Sequence, residues 1–321
     1  MKTAIITGAT GQDGLYLAEL LLEKEYRVIG IVRDIQTATN TLPHAIRGRL
    51  KLIAWDMRDQ QVISKILVQY QPDEFYNFAA YSSGSEMYTD PVGIGEINGL
   101  AVTCILEAIR QINDKIRFCQ ASSREIFGEA VVSPQTETTL TNPRSPYGAA
   151  KHYADSMIRI YRQQYNLFAC SAILYNHESP RRGLGFVTRK ITHEAAKIKL
   201  GLANELCLGN LDAQRDWGFS GDYVRAMWQM LQHQQAGDYV VATGETHSVR
   251  EFCERAFSRL GLDYRDYVCE DASSYRPAEP ALLVGCADKA KFELGWTPKV
   301  DFKGLVDMMV DADFQKLNKS V

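Results

Sequence analysis

The stretch Tyr147-Gly148-Ala149-Ala150-Lys151 sets a phenol and an ammonium four residues apart, so a helix there carries both on one face. An ammonium beside a tyrosine favours the phenolate, lowering the phenol's pKa and fitting it to exchange a proton with a hydroxyl near neutral pH. Tyr-x-x-x-Lys alone is also what a surface pair looks like, but two further motifs accompany it. Gly8-Ala9-Thr10-Gly11-Gln12-Asp13-Gly14 follows a short apolar run and opens a helix-like one. Glycines at such a junction allow a tight turn, close backbone approach to a pyrophosphate and close helix–strand packing. The helix N-terminus then offers free N–H groups to the phosphates. Between these motifs, Gln120-Ala121-Ser122-Ser123-Arg124-Glu125-Ile126-Phe127-Gly128 ends another apolar run. Ser123 suits hydrogen bonding to a substrate oxygen, and Glu125 is either a general acid/base or a solvated loop carboxylate.

The type of dinucleotide turns on Ile31-Val32-Arg33-Asp34. An acid at that strand end hydrogen-bonds the ribose 2′-hydroxyl of NAD, whereas an arginine accommodates the 2′-phosphate of NADP. Arg33 favours NADP; Asp34 beside it repels a phosphate and keeps NAD open. Asp56 either meets the adenine or caps the helical segment that starts near Asp59.

Holding these groups requires regular elements. Residues 3–7, 27–32, 51–55, 74–79, 117–121 and 168–174 read as strands, and 15–24, 60–69, 92–111 and 146–164 as helices. This alternation predicts an α/β fold: a Rossmann-type, doubly wound parallel sheet with right-handed crossovers. Residues 36–48 lack periodicity and read as a loop. Beyond about residue 176 the pattern loosens: 209–218 is loop-like, 222–232 helical, 239–242 a strand, and 248–260 a helix with a Ser248/Glu251 capping box. The expected organisation is a dinucleotide-binding domain over 1–175, with a return segment near 211–243. A smaller C-terminal α/β substrate domain takes 176–210 and 244–321.

The 321 residues include 36 Lys+Arg and 39 Asp+Glu, a net charge of −3, with 45% hydrophobic residues. That length is near the ceiling for one core, which suits a large domain with an annex. The near-neutral balance gives no basic field for nucleic acid but leaves room for a local basic pocket. No uninterrupted apolar run is long enough to span a bilayer, and the N-terminus leads too directly into the glycine motif for a secretory segment. Neither a membrane nor a nucleic-acid partner is expected. Cys104, Cys119, Cys170, Cys207, Cys253, Cys269 and Cys286 are odd in number and scattered, without a Cys-x-x-Cys spacing. They are expected as small buried hydrophobes in a reducing cytoplasm, with no metal site and no disulfide framework.

The glycine motif with Gln12-Asp13, Ser123 and the Tyr147/Lys151 pair resemble the extended short-chain dehydrogenase/reductase family. Longer blocks resemble, more narrowly, the GDP-mannose 4,6-dehydratase family over nearly the whole chain. They include residues 7–14, 143–148, Asn176-His177-Glu178-Ser179-Pro180-Arg181-Arg182-Gly183 and Phe186-Val187-Thr188-Arg189-Lys190. Residues 209–218, Arg276-Pro277-Ala278-Glu279 and Leu294-Gly295-Trp296-Thr297-Pro298 continue the match.

The resemblance implies a lyase with a tightly held NADP that is used and regenerated in each turnover. In that scheme Tyr147 takes the C4 hydroxyl proton as hydride leaves C4, Glu125 removes the C5 proton, water leaves from C6, and hydride returns to C6. The product is GDP-4-keto-6-deoxy-mannose. Ser123 and Lys151 complete the catalytic set. Cofactor contacts are implied at Gly8, Thr10, Gly11, Gln12, Asp13, Gly14, Arg33, Asp56, Met57, Ala79, Ala80, Ser82, Tyr147, Lys151, His177 and Arg182. Substrate contacts are implied at Ser82, Asn176, Lys190, Arg215, Arg276 and Glu279, the arginines suiting bidentate phosphate binding. A homodimer or homotetramer is expected, through the helices at 92–111 and 146–164.

Three departures stand out from the family pattern. Arg124 sits beside Glu125, where the family has a small residue; pointing inward, it would pair with that carboxylate. Ala79-Ala80-Tyr81-Ser82-Ser83-Gly84 remodels the expected Ala-Ala-Gln-Ser wall, and Asp34 replaces a second arginine. These leave two alternatives: an NAD(P)H-dependent reductase or epimerase of a related GDP-4-keto sugar or GDP-heptose, and a cofactor-binding subunit without turnover.

Overall fold

Runs such as TAIIT and ACSAIL have no polar face because both faces of their strands are covered: every residue in each is buried. The structure, a computed structural model, describes residues 1–81, 88–271 and 282–319. Its strands in chain order are β1 (Thr3–Thr7), β2 (Arg27–Val32), β3 (Lys51–Ala54), β4 (Glu74–Asn77), β5 (Arg117–Ala121), β6 (Ala169–Leu174) and β7 (Asn176–Glu178). Then come β8 (Leu206–Leu208), β9 (Gln214–Arg215), β10 (Trp217–Phe219), β11 (Asp238–Val241), β12 (His247–Ser248) and β13 (Val268–Glu270). Seven form one sheet in the order β11-β6-β5-β4-β1-β2-β3, every neighbouring pair parallel. The order reverses direction beside β1, the switch point at which such sheets bind ligands. The expected Rossmann-type fold is present.

The helices are α1 (Gln12–Glu23), α2 (Ile35–Thr41), α3 (Gln60–Tyr70), α4 (Pro91–Gly95), α5 (Ala101–Ile112) and α6 (Pro146–Tyr165). They continue with α7 (Val187–Lys199), α8 (Ser220–Gln232), α9 (Val249–Arg259), α10 (Asp288–Leu294) and α11 (Phe302–Asn318). One sheet face is covered by α1 and α8, with Leu17, Leu21, Met227 and Met230 at its centre. The other is covered by α3, α5 and α6 around Ile63, Val102, Ile105 and Ile158. A third apolar cluster, with Ile191, Trp217, Phe252, Phe257, Leu305 and Met309, holds α7, α9 and α11 together away from the sheet. The Ser248/Glu251 capping box forms as expected.

Several expectations change. Residues 36–48 are not all loop: the Asp34 carboxylate accepts from the Thr37 N–H at 2.6 Å and starts α2. Short strands β9 and β10 cross the expected loop at 209–218. Cys207 and Cys269 are bonded, because β8 and β13 pair in parallel with these two residues in register. The sequence distance between them hid that pairing. Pro91–Ile112 is one continuous helical stretch, joined by a π turn at Glu96–Leu100. Its length and mean hydropathy of 1.5 would suffice to cross a bilayer, but 56% of its most apolar window is buried within the protein.

Candidate active site

Gly8 turns the chain at φ 64° at the end of β1. A Cβ on Gly14 would stand 2.3 Å from the Gly8 carbonyl oxygen, so only glycine lets α1 start this close to the turn. Gly11 is the N-cap of α1 and no side chain caps that end. The first-turn N–H groups of Gln12, Asp13 and Gly14 therefore suit a pyrophosphate. Thr10 is half-buried beside them.

Gln12 and Asp13 face the segment that follows β6. Gln12 Nε2 donates to the His177 carbonyl at 3.0 Å, and the Ser179 hydroxyl donates to Gln12 Oε1 at 2.7 Å. Asp13 accepts from the Ser220 hydroxyl at 2.6 Å and lies 3.0 Å from His177 Nε2. Burial pushes the Asp13 carboxyl up, but the charge and hydrogen bonds of His177 and Ser220 outweigh it and bring it down to about 2. Burial lowers the His177 pKa and Asp13 more than reverses this, leaving it raised. His177 Nδ1 lies 2.7 Å from the Tyr175 carbonyl, which can only accept, and Nε2 faces an ionised carboxylate. With both ring nitrogens facing acceptors, the surroundings favour the imidazolium form of His177. Arg182 lies 3.1 Å from Glu178 and over the Phe186 ring, where its charge reaches both Asp13 and Tyr147.

At the end of β2, Arg33 is exposed while the Asp34 carboxylate is occupied with α2. Asp56 accepts from the Arg58 N–H at 3.0 Å and from Arg58 Nε at 3.1 Å, and Arg33 adds to the positive field there. The capping of α3 falls to Asp59, not Asp56. Met57 is buried in the core between sheet and α3. The Thr7 hydroxyl accepts from the Phe78 and Ala79 N–H groups, each at 3.1 Å, tying the chain that leads to Ala80 to the end of β1. Ser82, Arg276 and Glu279 lie outside the described residues.

The residues expected to be catalytic are assembled by α6. Ser145 caps it through the Gly148 N–H at 3.0 Å, and Pro146 occupies its first turn. A Cβ on Gly148 would stand 2.5 Å from the Glu125 carbonyl oxygen, so this glycine lets the helix rest on the turn carrying Ser123 and Glu125. Ser123 caps that turn through the Glu125 N–H and hydrogen-bonds Tyr147. Lys151 is only 2% exposed; its Nζ donates to the Ala121 carbonyl at 2.7 Å and lies 5.7 Å from the Tyr147 ring centre.

The expected lowering of the tyrosine pKa does not occur in the chain by itself. Burial pushes the Tyr147 phenol up to about 12, the Ser123 hydrogen bond opposing and the Glu125 charge assisting. Burial also brings Lys151 down to about 8, with Asp155 opposing. Asp155 is raised by burial to about 6 despite hydrogen bonds from the Ser122 and Ser171 hydroxyls, each at 2.5 Å. Arg124 does point inward: its side chain is 8% exposed, and its guanidinium lies 3.0 Å from the carboxylate of Glu125, whose side chain is 25% exposed.

The glycine turn, His177, Arg182, Ser123, Glu125, Tyr147 and Lys151 thus share the carboxyl edge of one sheet. Asn176 is half-buried at the start of β7. Lys190 is held on α7 by donating to the Cys207 carbonyl at 2.7 Å, and Arg215 donates to its neighbour's carbonyl at 2.6 Å in β9.

Two groups escaped the sequence reading. Asn98, 1% exposed in the π turn, accepts from the Tyr81 N–H at 2.9 Å and donates to its carbonyl at 3.0 Å, fixing the chain just after Ala80. A lone amide in an apolar helical run was the available signal. Thr7, Asn77 and Gln120 form a buried chain of hydrogen bonds across the strand ends, Asn77 Nδ2 donating to Gln120 Oε1 at 2.7 Å. Strand-end polar residues give no periodic signal.

A family model described as GDP-mannose 4,6 dehydratase matches residues 5–309. GDP-mannose 4,6 dehydratase 1 of Arabidopsis thaliana is 46% identical over 326 residues, covering 98% of this chain and 90% of the relative. Among solved structures, dTDP-glucose 4,6-dehydratase from Bacillus anthracis in complex with NAD superposes with a TM-score of 0.85 at 20% identity, covering 99% and 98% of the two chains. RMD from Pseudomonas aeruginosa complexed with NADPH gives 0.82 at 22%, covering 98% of each. With the family model matched over residues 5–309, the plant relative matched over 90% of its length and the same fold in both solved structures, this chain belongs to the GDP-mannose 4,6 dehydratase family.

Proposed function

We propose that the protein converts GDP-mannose to its 4-keto-6-deoxy form by loss of water. The observation that carries this reading is the pairing, on one sheet edge, of a phenol at Tyr147 with a separate, partly exposed carboxylate at Glu125. A plain alcohol dehydrogenation needs only the first; removing a proton from carbon and water from the neighbouring carbon needs the second as well.

The residues fit a dinucleotide: Gly14 leaves no room for a side chain, the start of α1 is uncapped, and Asp13 and His177 brace the turn. A nicotinamide dinucleotide there supplies the hydride acceptor and donor. We assign NADP, supported by exposed Arg33 and by the engagement of Asp34 in capping, which blunts its repulsion of a 2′-phosphate; NAD use would leave Arg33 without that role. Ser123 and Tyr147 hold the C4 oxygen and Tyr147 accepts its proton. Glu125 takes the C5 proton and delivers one to the leaving C6 hydroxyl. Arg124 fixes one oxygen of Glu125, leaving the other to the sugar. Lys190 and Arg215, with Arg276 and Glu279, are assigned to the GDP moiety. A homodimer or homotetramer belongs to the same reading, supported by the exposed Val92, Leu100, Tyr153 and Ile160 on the stretch from α4 to α6, and a cytoplasmic location is proposed with it.

Mass analysis after incubation with GDP-mannose and NADP tests the reaction. The expected product has lost one water, with no net change in nicotinamide absorbance. Glu125→Gln should slow water loss roughly 100- to 10,000-fold while binding cofactor normally. Steady consumption of added NADPH without water loss would favour the reductase alternative instead.

A further inference from the structure

Two pairs of cysteines face each other across parallel strands. Cys119 and Cys170 are in register in β5 and β6, completely buried and unbonded. Burial raises both thiols, Cys170 to about 11, so neither supplies the thiolate that disulfide chemistry needs. Cys207 and Cys269 are in register in β8 and β13, with Cα atoms 4.8 Å apart and a bond between their sulfurs. Cys207 is exposed and Cys269 half-buried, so a small oxidant or reductant reaches them.

What this second pair holds is the edge assigned to the nucleotide. The Cys207 carbonyl accepts from Lys190 Nζ at 2.7 Å. Beyond Cys269, the Asp271 N–H donates to the Leu208 carbonyl at 2.7 Å, immediately before the segment that carries Arg276 and Glu279. Arg250 ties Glu270 of β13 to Asp212, at 3.1 and 3.0 Å, in the loop leading to Arg215. A two-stranded sheet with three residues per strand is marginal alone. A covalent link between its central residues therefore decides how firmly Lys190, tied to the Cys207 carbonyl, is held.

We propose that Cys207 and Cys269 form a reversible thiol–disulfide modification site whose oxidised state tightens binding of the GDP moiety. This rests on the assignment of Lys190 to that moiety. With hydrogen peroxide as oxidant, each thiol gives up one proton and one electron and the S–S bond forms. The O–O bond breaks, leaving two waters. A dithiol reverses the step by exchange, and is itself left as a disulfide.

The test uses the full chain in EDTA, because the two sulfurs and the Glu205 carboxylate lie within 4.8 Å of one another and would otherwise gather adventitious metal. After peroxide treatment, peptide mass analysis should show Cys207 joined to Cys269, with Cys119 and Cys170 still free. Titration with GDP should give binding about 3- to 10-fold tighter in the oxidised protein than after dithiothreitol, the scale of ordering one or two side chains. Cys207→Ser should bind like the reduced protein under both conditions. Because the wild-type protein is cycled reversibly, a folding defect in that variant leaves the comparison intact. Absence of the cross-linked peptide, or a cross-link with unchanged GDP affinity, overturns the proposal. Lys190→Ala should weaken GDP in both redox states. Unchanged affinity there would refute the nucleotide assignment separately, since the cross-link is read by mass and not by binding.

Discussion

At the scale of single residues, the site depends on charges held where they are uncomfortable. Lys151 is buried against a carbonyl with an ammonium that titrates near 8 rather than 10.5. Its charge, which a deprotonating Tyr147 needs nearby, is lost as the pH rises through about 8. The kcat/KM profile should therefore fall on the alkaline side with a midpoint near that value. Asp155→Asn removes a charge that holds the Lys151 pKa up and should shift the fall to lower pH. A profile still rising at pH 9, or unmoved by that substitution, would contradict the role given to Lys151. Part of this was legible beforehand: Tyr147, Lys151 and Ser123 stand out by type and spacing, whereas residue type left Glu125 open between acid/base and loop carboxylate, and only the family resemblance gave it a role. The direction of the tyrosine shift was not, because spacing says nothing of the burial that takes Tyr147 to about 12.

At the scale of elements, the start of α1 is braced from β7 and α8 by the Asp13–His177 ion pair and the Ser220 hydroxyl. Asp13 titrates near 2, below its ordinary 3.8, so its stabilising contribution is present above about pH 4 and lost as the pH falls through 2. His177 has a raised pKa, so its contribution is complete below its ordinary 6.5 and lost as the pH rises through the folded value. Asp13→Asn, leaving a buried imidazolium unpaired, should cost about 3 kcal/mol. The Tm gap from wild type should be widest between pH 4 and 6.5 and should narrow above. A gap independent of pH would show that the pair acts through shape rather than charge. The strands of the main sheet were readable because uninterrupted apolar runs such as β1 and β6 have no other explanation. The start of α2 at Asp34 and the short strands β9 and β10 were not, since a single capping contact and a few ladder bonds leave no periodicity.

At the scale of the whole molecule, the sheet edge holds the residues proposed for proton transfer, and the cluster around Trp217 and Phe252 carries α7, on which Lys190 sits. The net charge of −3 conceals this division, because Lys190, Arg215 and Arg276 all come from the second half of the chain. Internal return of hydride is the claim on which the account rests: oxidation at C4, elimination, and reduction at C6 without net use of cofactor. The most direct measurement is the fate of deuterium placed at C4 of GDP-mannose, followed by NMR and mass analysis of the product. Deuterium is expected at C6 of a 4-keto-6-deoxy sugar, with the nicotinamide pool unlabelled and unchanged in redox state after many turnovers. Deuterium accumulating in the nicotinamide pool, or retained at C4, would contradict it.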